Sequence, residues 1–295
     1  MLNCAKRVAA LPTAALIAGV LAATAAAAVI PGTRGNDSIR GTKDGDVITA
    51  LAGNDFVSAR AGDDRVEGGD GNDRLRGNRG ADTLIGNAGR DVMHGGADND
   101  SLNGLQGPDW LYGNVGDDVL RGDTANAGDR VSRDRLFGGD GHDQLFGGDG
   151  RDRLFGGEGD DIVNGEAGND HQAGGPGNDT QDGGPGNDRI FANLGVDTTQ
   201  GGDGNDDLWA LHRGDVPLPG VDTLRGGPGR DRFHLRDGEA DVVNCGPGID
   251  TALLDFVDVI EDATAQNPNG SCEVVQRAAP SPQEQRQEER SDDDD

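Results

Sequence analysis

The chain has 295 residues, enough for one or two ordinary domains, yet apolar residues make up only 33% and aromatics 3%, beside 52 glycines. So few large side chains exclude a wide hydrophobic core, because too little surface can be buried to offset the entropy of ordering the chain. The formal net charge of −28 opposes compaction, argues for no nucleic acid partner because phosphates are repelled, and makes cations the natural counter-ions.

Residues 1–28 read as a secretory signal peptide: Lys6 and Arg7 form a charged start, Val8 to Leu21 an apolar stretch, and Ala25 to Ala28 a small-residue cleavage region before Val29. On this reading no transmembrane anchor remains after signal cleavage, and the protein is secreted, extracellular or held at the cell surface. Cys4 leaves with the signal. Cys245 and Cys272 remain as an even pair in an oxidising compartment, so a disulfide between them is expected over two free buried thiols.

From residue 32 to 253 aspartate recurs with a period of nine. The first run is Asp37, Asp46, Asp55, Asp64, Asp73, Asp82, Asp91, Asp100, Asp109 and Asp118. The second is Asp134, Asp143, Asp152, Asp161, Asp170, Asp179, Asp188, Asp197 and Asp206, followed by Asp222, Asp231, Asp241 and Asp250. Numbering each unit one to nine places aspartate at six, glycine most often at one, two and four, and an apolar residue at eight, as in Gly147 to Phe155. Residues seven to nine predict a three-residue strand with one side chain pointing inward. The glycine-rich half predicts a turn, since glycine alone enters positive φ at little steric cost. Two units make an 18-residue coil with strands on opposite walls, so the expected fold class is all-β, a parallel β-roll solenoid of about twelve coils. At a coil spacing of roughly 4.8 Å it would be about 55 Å long.

Asp118 to Asp134 and Asp206 to Asp222 each span a unit plus seven residues; because phase is kept on either side, these read as loops bulging from turns. The second contains Arg213-Gly214-Asp215, a tripeptide that abundant Gly-Asp pairs explain by chance better than adhesion does. Phe256 to Ile260 and Cys272 to Val275 predict strands flanking an Asn267-Pro268-Asn269-Gly270 turn, so residues 254–277 are expected to form a small disulfide-tied cap over the open end. Residues 278–295 are expected to be a solvated, disordered acidic tail.

Carboxylates and exposed turn carbonyls are hard oxygen donors suited to Ca²⁺, whereas His94, His142, His171, His212 and His234 are scattered without the spacing of a zinc site. The repeat resembles the hemolysin-type calcium-binding repeat, the RTX nonapeptide Gly-Gly-x-Gly-x-Asp-x-apolar-x. That resemblance implies a β-roll holding multiple Ca²⁺ ions in its turns, with each position-six aspartate named above as a metal ligand and the glycines lending carbonyls. Asp44 and Asp98 depart from it at position four, Ala50 and Ala59 at position one.

Gln172 and Gln181 occupy successive position eights, with Thr199 further on, so one layer of the interior is expected to be polar, the two glutamines bonding mutually and their coil fraying first. Phe137, Phe146 and Phe155 lie at position nine, facing outward, as packing ladders or a binding platform. The function expected is a secreted, non-enzymatic calcium-binding protein that folds on its ions. Competing readings are a calcium-stiffened structural or adhesive surface protein and a cytolysin or hydrolase, although within these residues the repeats leave only the C-terminal segment and two short loops for a nucleophile and its base.

Overall fold

The computed structural model describes residues 27–123, 132–210, 221–267 and 269–279. Most of the signal segment, the Arg213-Gly214-Asp215 loop and residues 280–295 of the tail lie outside the described residues. Among the described residues there are twenty-six strands and no helix, arranged as two parallel sheets of thirteen that take alternate strands in chain order. Each chain pass therefore lays one strand on each wall and returns one coil further on. No helix among the described residues is long and apolar enough to cross a membrane.

The period of nine sets the register. Met93 pairs with Leu111, Leu111 with Leu136 and Leu136 with Leu154, so position-eight side chains stack in one inward column per wall. The Leu111–Leu136 and Leu120–Leu145 pairs bridge the first insertion, and Thr199–Leu224 and Leu208–Phe233 the second, with the columns unbroken. Both insertions thus leave the roll in phase.

Strands are longer than the three residues expected. Arg135–Asp140 pairs with Arg153–Glu158 not only at residues seven to nine but also at Gly139–Gly157 and Asp140–Glu158. The ladder runs on into the glycine segment because the backbones there approach closely: a Cβ at Gly156 would collide with the Gly174 carbonyl and the Asp161 carboxylate. Position two takes positive φ, at Gly157 (119°) and at Asn78, Asn87, Asn114 and Asn193. Asparagine tolerates this left-handed region; Leu51, Arg60, Leu105 and Glu166 occupy it under strain.

Inside, one large side chain per unit is buried, and the aliphatic core falls into two stretches, Ile39 to Val163 and Leu208 to Cys272. Between them lie the buried Gln172, Gln181 and Thr199. The two glutamines do not bond each other. Gln172 Nε2 instead donates to the Asp182 carbonyl (2.8 Å) and Thr199 Oγ1 to Gln181 Oε1 (3.2 Å), leaving Gln172 Oε1 and Gln181 Nε2 buried without partners. Outside, position nine carries a continuous run of rings on one wall: His94, Tyr112, Phe137, Phe155, Phe191, Trp209 and His234, with His171 from position seven filling the gap over Ala173. Phe146 stands on the opposite wall beneath Arg121, 4.1 Å from guanidinium carbon to ring centre.

At the C-terminal end Val259–Ile260 pairs with Val242–Asn244 and Val274–Arg277 with Thr251–Leu254. The two last strands do not pair with each other; each extends its own sheet. The Cys245–Cys272 disulfide, with Cα atoms 5.2 Å apart, ties this last coil to the preceding one.

The orphaned amide atoms make the Gln172–Thr199 coils the weakest part of the roll. Amide exchange protection is expected to be lower across 171–200 than across 135–155, and equal protection would contradict this. Replacing both Gln172 and Gln181 with leucine should stabilise the fold by about 1–3 kcal/mol in thermal or denaturant unfolding, by removing unpaired buried polar groups.

Candidate metal centre

The position-six aspartates form two ladders, one along each edge of the roll. Each aspartate donates its backbone N–H to the Oδ1 of the aspartate one coil on. Along one edge the chain of bonds runs Asp46 to Asp64 (2.6 Å), Asp64 to Asp82 (2.8 Å), Asp82 to Asp100 (2.7 Å) and Asp100 to Asp118 (2.7 Å). It crosses the first insertion from Asp118 to Asp143 and continues through Asp161, Asp179, Asp197, Asp222 and Asp241. The other edge links Asp37, Asp55, Asp73, Asp91, Asp109, Asp134, Asp152, Asp170, Asp188, Asp206, Asp231 and Asp250 in the same way. The aspartate carbonyl meanwhile accepts the ladder bond of the next coil, as Asp46 does from Arg65 N–H at 2.8 Å. Side chain and backbone thus cooperate at one residue per turn.

The second oxygen is the informative one. Oδ2 is buried without a hydrogen-bond partner at Asp55, Asp64, Asp73, Asp82, Asp91, Asp100, Asp109, Asp118, Asp143, Asp152, Asp161, Asp170, Asp179, Asp188, Asp197, Asp206, Asp231, Asp241 and Asp250. Where position one of its unit is glycine, this Oδ2 lies over that glycine, and at Gly86, Gly104, Gly156 and Gly201 beside the position-one carbonyl of the next coil. A Cβ at Gly201 would sit 2.6 Å from Asp206 Oδ2 and 2.7 Å from the Gly226 carbonyl oxygen, so glycine keeps a small oxygen-lined cradle open.

Unpaired carboxylates out of water bind protons strongly. Desolvation first, then neighbouring aspartates, push Asp64 up to about 6, Asp91 to about 7, Asp152 and Asp197 to about 8 and Asp109 to about 9, against the offsetting backbone hydrogen bond each accepts. A buried carboxylate in this state takes up either a proton or a cation.

The ends of the ladders differ. Asp37 Oδ2 accepts from Thr33 N–H and Oγ1, and Asp46 Oδ2 from Thr42 N–H (2.6 Å), so protein donors complete these two carboxylates. Asp134 Oδ2 accepts from Ser132 Oγ at 2.9 Å. Beyond the aspartates expected from spacing, Asp241 N–H donates to Asp258 Oδ1 (3.3 Å) and Asp250 N–H to Glu273 Oε2 (2.8 Å), extending both edges by one coil. Sequence reading missed them because the spacing drifts there from 18 residues to 17 and 23. It also missed a second ladder at position five, where the side chain accepts from the coil after it, as in Asn36 to Asn54 to Asn72 and Asn169 to Asn187 to Asn205. Recurrent Asn and Asp just before the position-six aspartate was the available signal.

Among the described residues no three His, Cys, Asp or Glu side chains converge where they could hold an ion. A cation at these turns would draw most of its donors from backbone carbonyls, with one carboxylate per turn. The RTX calcium-binding nonapeptide repeat model matches residues 31–66, 67–102, 94–126, 133–172, 173–208 and 218–252. The chain belongs to the RTX calcium-binding repeat family. Among curated proteins, none matches it. The RTX donor set fits a hard divalent cation, since every group in the cradles is an oxygen and the orphaned ones are anionic.

The raised carboxyls fix the sign of a pH response. Folded RTX carboxyls titrate from about 6 to about 9, above the roughly 3.9 of an unfolded chain, so their contribution is complete below about pH 4 and is lost as pH rises through the folded values. In chelator, Tm is expected to fall between pH 4 and pH 9, and calcium should restore it above pH 7. A chelated Tm that rises over this range would contradict the assignment.

Proposed function

We propose that the chain is an exported, non-enzymatic calcium-binding β-roll whose folding is coupled to several Ca²⁺ ions. The observation that carries this is the double row of buried carboxylates, nineteen of them with Oδ2 unpartnered. The aspartates from Asp55 to Asp250 with a free Oδ2 would hold the ions, with position-one carbonyls beside them. Asp37 and Asp46 would contribute least, because Thr33 and Thr42 already occupy them. Calcium would supply the positive charge that the turns lack; the chain's own work is to hold oxygens at fixed spacing and keep water out. Without that charge, repulsion along both edges acts against a core one side chain thick, so binding free energy becomes folding free energy.

Export agrees with the disulfide, which belongs to an oxidising compartment, and with the apolar, Ala-rich residues 1–28 ahead of the first strand. Extracellular modules bind calcium with dissociation constants of about 10⁻⁴–10⁻³ M, so the chain would stay open at cytosolic calcium and close outside.

Circular dichroism of the full chain during calcium titration above pH 7, where the carboxyls lose their protons, is the test. Little β signal in chelator and a cooperative rise near millimolar calcium are expected, and full β structure in chelator at that pH would sink the coupling. Replacing Asp152 and Asp170 with asparagine should lower stability in calcium by about 1–3 kcal/mol, the scale of a lost charged contact, while stability in chelator holds or improves.

A further inference from the structure

In a chain of net charge −28, one concave patch gathers four cations and no acid, against the two, Arg133 and Arg151, of another patch that is also without a carboxylate. It lies on the wall formed by Ser38–Arg40, Phe56–Ala61 and Arg74–Arg79, and Arg40, Lys43, Arg60 and Arg79 line it together with Ser58 and Asn78. No carboxylate lines it, and its volume is about 370 Å³. Asp44 and Asp63 sit on the turn beyond, at positions four and five. None of the four cations makes an ion pair among the described residues, whereas Arg65, Arg189 and Arg225 on the same roll do. Arg60 also stands at φ 96°, in a position that glycine or asparagine fills in most units. Strain of this kind persists at functional sites when the side chain is needed there.

We propose that this groove binds an extended carboxylated polysaccharide, taking its carboxylates on Arg40, Lys43, Arg60 and Arg79. Guanidinium forks match carboxylates in a bidentate manner, and the Ser58 hydroxyl among them offers a partner for sugar hydroxyls. Arg40 and Lys43 come from one coil, Arg60 from the next and Arg79 from the one after, at more than one position of the unit. At roughly 4.8 Å per coil the cations spread over about 10 Å, enough to meet more than one sugar of an extended chain. Charge density decides against nucleic acid. Duplex DNA carries a charge per about 1.7 Å, which the acidic remainder of the roll would repel. Single strands need open ring faces to stack on, and the ring column starting at His94 is packed face to face, at 4.6 Å to Tyr112. A sparse polyanion, one carboxylate per sugar, meets the patch without confronting the acidic edges.

The test is calorimetric titration of the full chain, in calcium and with its fold checked by circular dichroism, against short oligogalacturonates. Binding that weakens with salt is expected, and Arg79→Glu should reduce affinity about tenfold, the effect of losing one charged contact. Arg60→Gly restores the residue favoured at positive φ, so it should fold at least as well while also losing affinity; Arg230→Ala, at the other end of the roll, should change nothing. A folded protein with no binding would overturn the proposal, as would equal affinity for a neutral oligosaccharide or tighter binding of single-stranded DNA. Undiminished binding in Arg60→Gly and Arg79→Glu would place the oligomer elsewhere, bridged by calcium, and overturn it equally.

Discussion

The structure depends on how a carboxylate is divided at each turn. One oxygen of the position-six aspartate is committed to the backbone of the preceding coil, as in Asp64 to Asp46, and the other is left buried beside a carbonyl. The first bond sets coil spacing and register; the second oxygen carries a charge that the protein does not neutralise. Hydrogen bonding within the turn and electrostatic need for a cation therefore reside in the same side chain. Nineteen such residues in two rows make the fold and the ligand one problem.

That constraint explains the glycines and the thin interior together. The cradle over Gly201 or Gly156 exists only because no Cβ fills it, and the close approach that glycine permits extends the ladders past the aliphatic residue. With each unit committing most of its residues to turn and ladder, one large side chain is left to face inward. Stability is then spread along the roll, nearest neighbour by nearest neighbour, and a local defect stays local. Gln172, Gln181 and Thr199 form such a defect and divide the aliphatic core. The ring column outside runs across this region through His171, Phe191 and Trp209, so the two aliphatic stretches are joined on the outer face where they are parted within.

The two ends show how an open solenoid edge is managed. In the first coil, Thr33 and Thr42 complete Asp37 and Asp46 with protein hydrogen bonds. At the other end Asp258 and Glu273 receive the last ladder bonds, and the disulfide fixes Cys272 against Cys245. Charge is also partitioned: position-five and position-six acids and amides occupy the edges, while Arg40, Arg60, Arg74, Arg76 and Arg79 of the first coils share one wall.

Much of the fold was legible because a short period is a strong signal. Nine residues with aspartate at six and an apolar residue at eight admit one arrangement of turn and strand, and insertions that keep phase read as loops. The identity of the inward residues and of the edge aspartates followed directly. What escaped was whatever depends on the neighbouring coil. Gln172 found a backbone carbonyl ten residues on, across the interior, and Gln181 a threonine one coil on, rather than each other. The position-five ladder runs through bonds between residues 18 apart, and Asp258 and Glu273 join the edges only because the chain folds back to bring them there. Sequence by itself determined the unit and its chemistry, because steric and hydrophobic preferences act within nine residues. Tertiary structure alone decided which oxygen of each aspartate is used, which is left over, and which cations share a wall, because those outcomes arise from stacking one coil on the next.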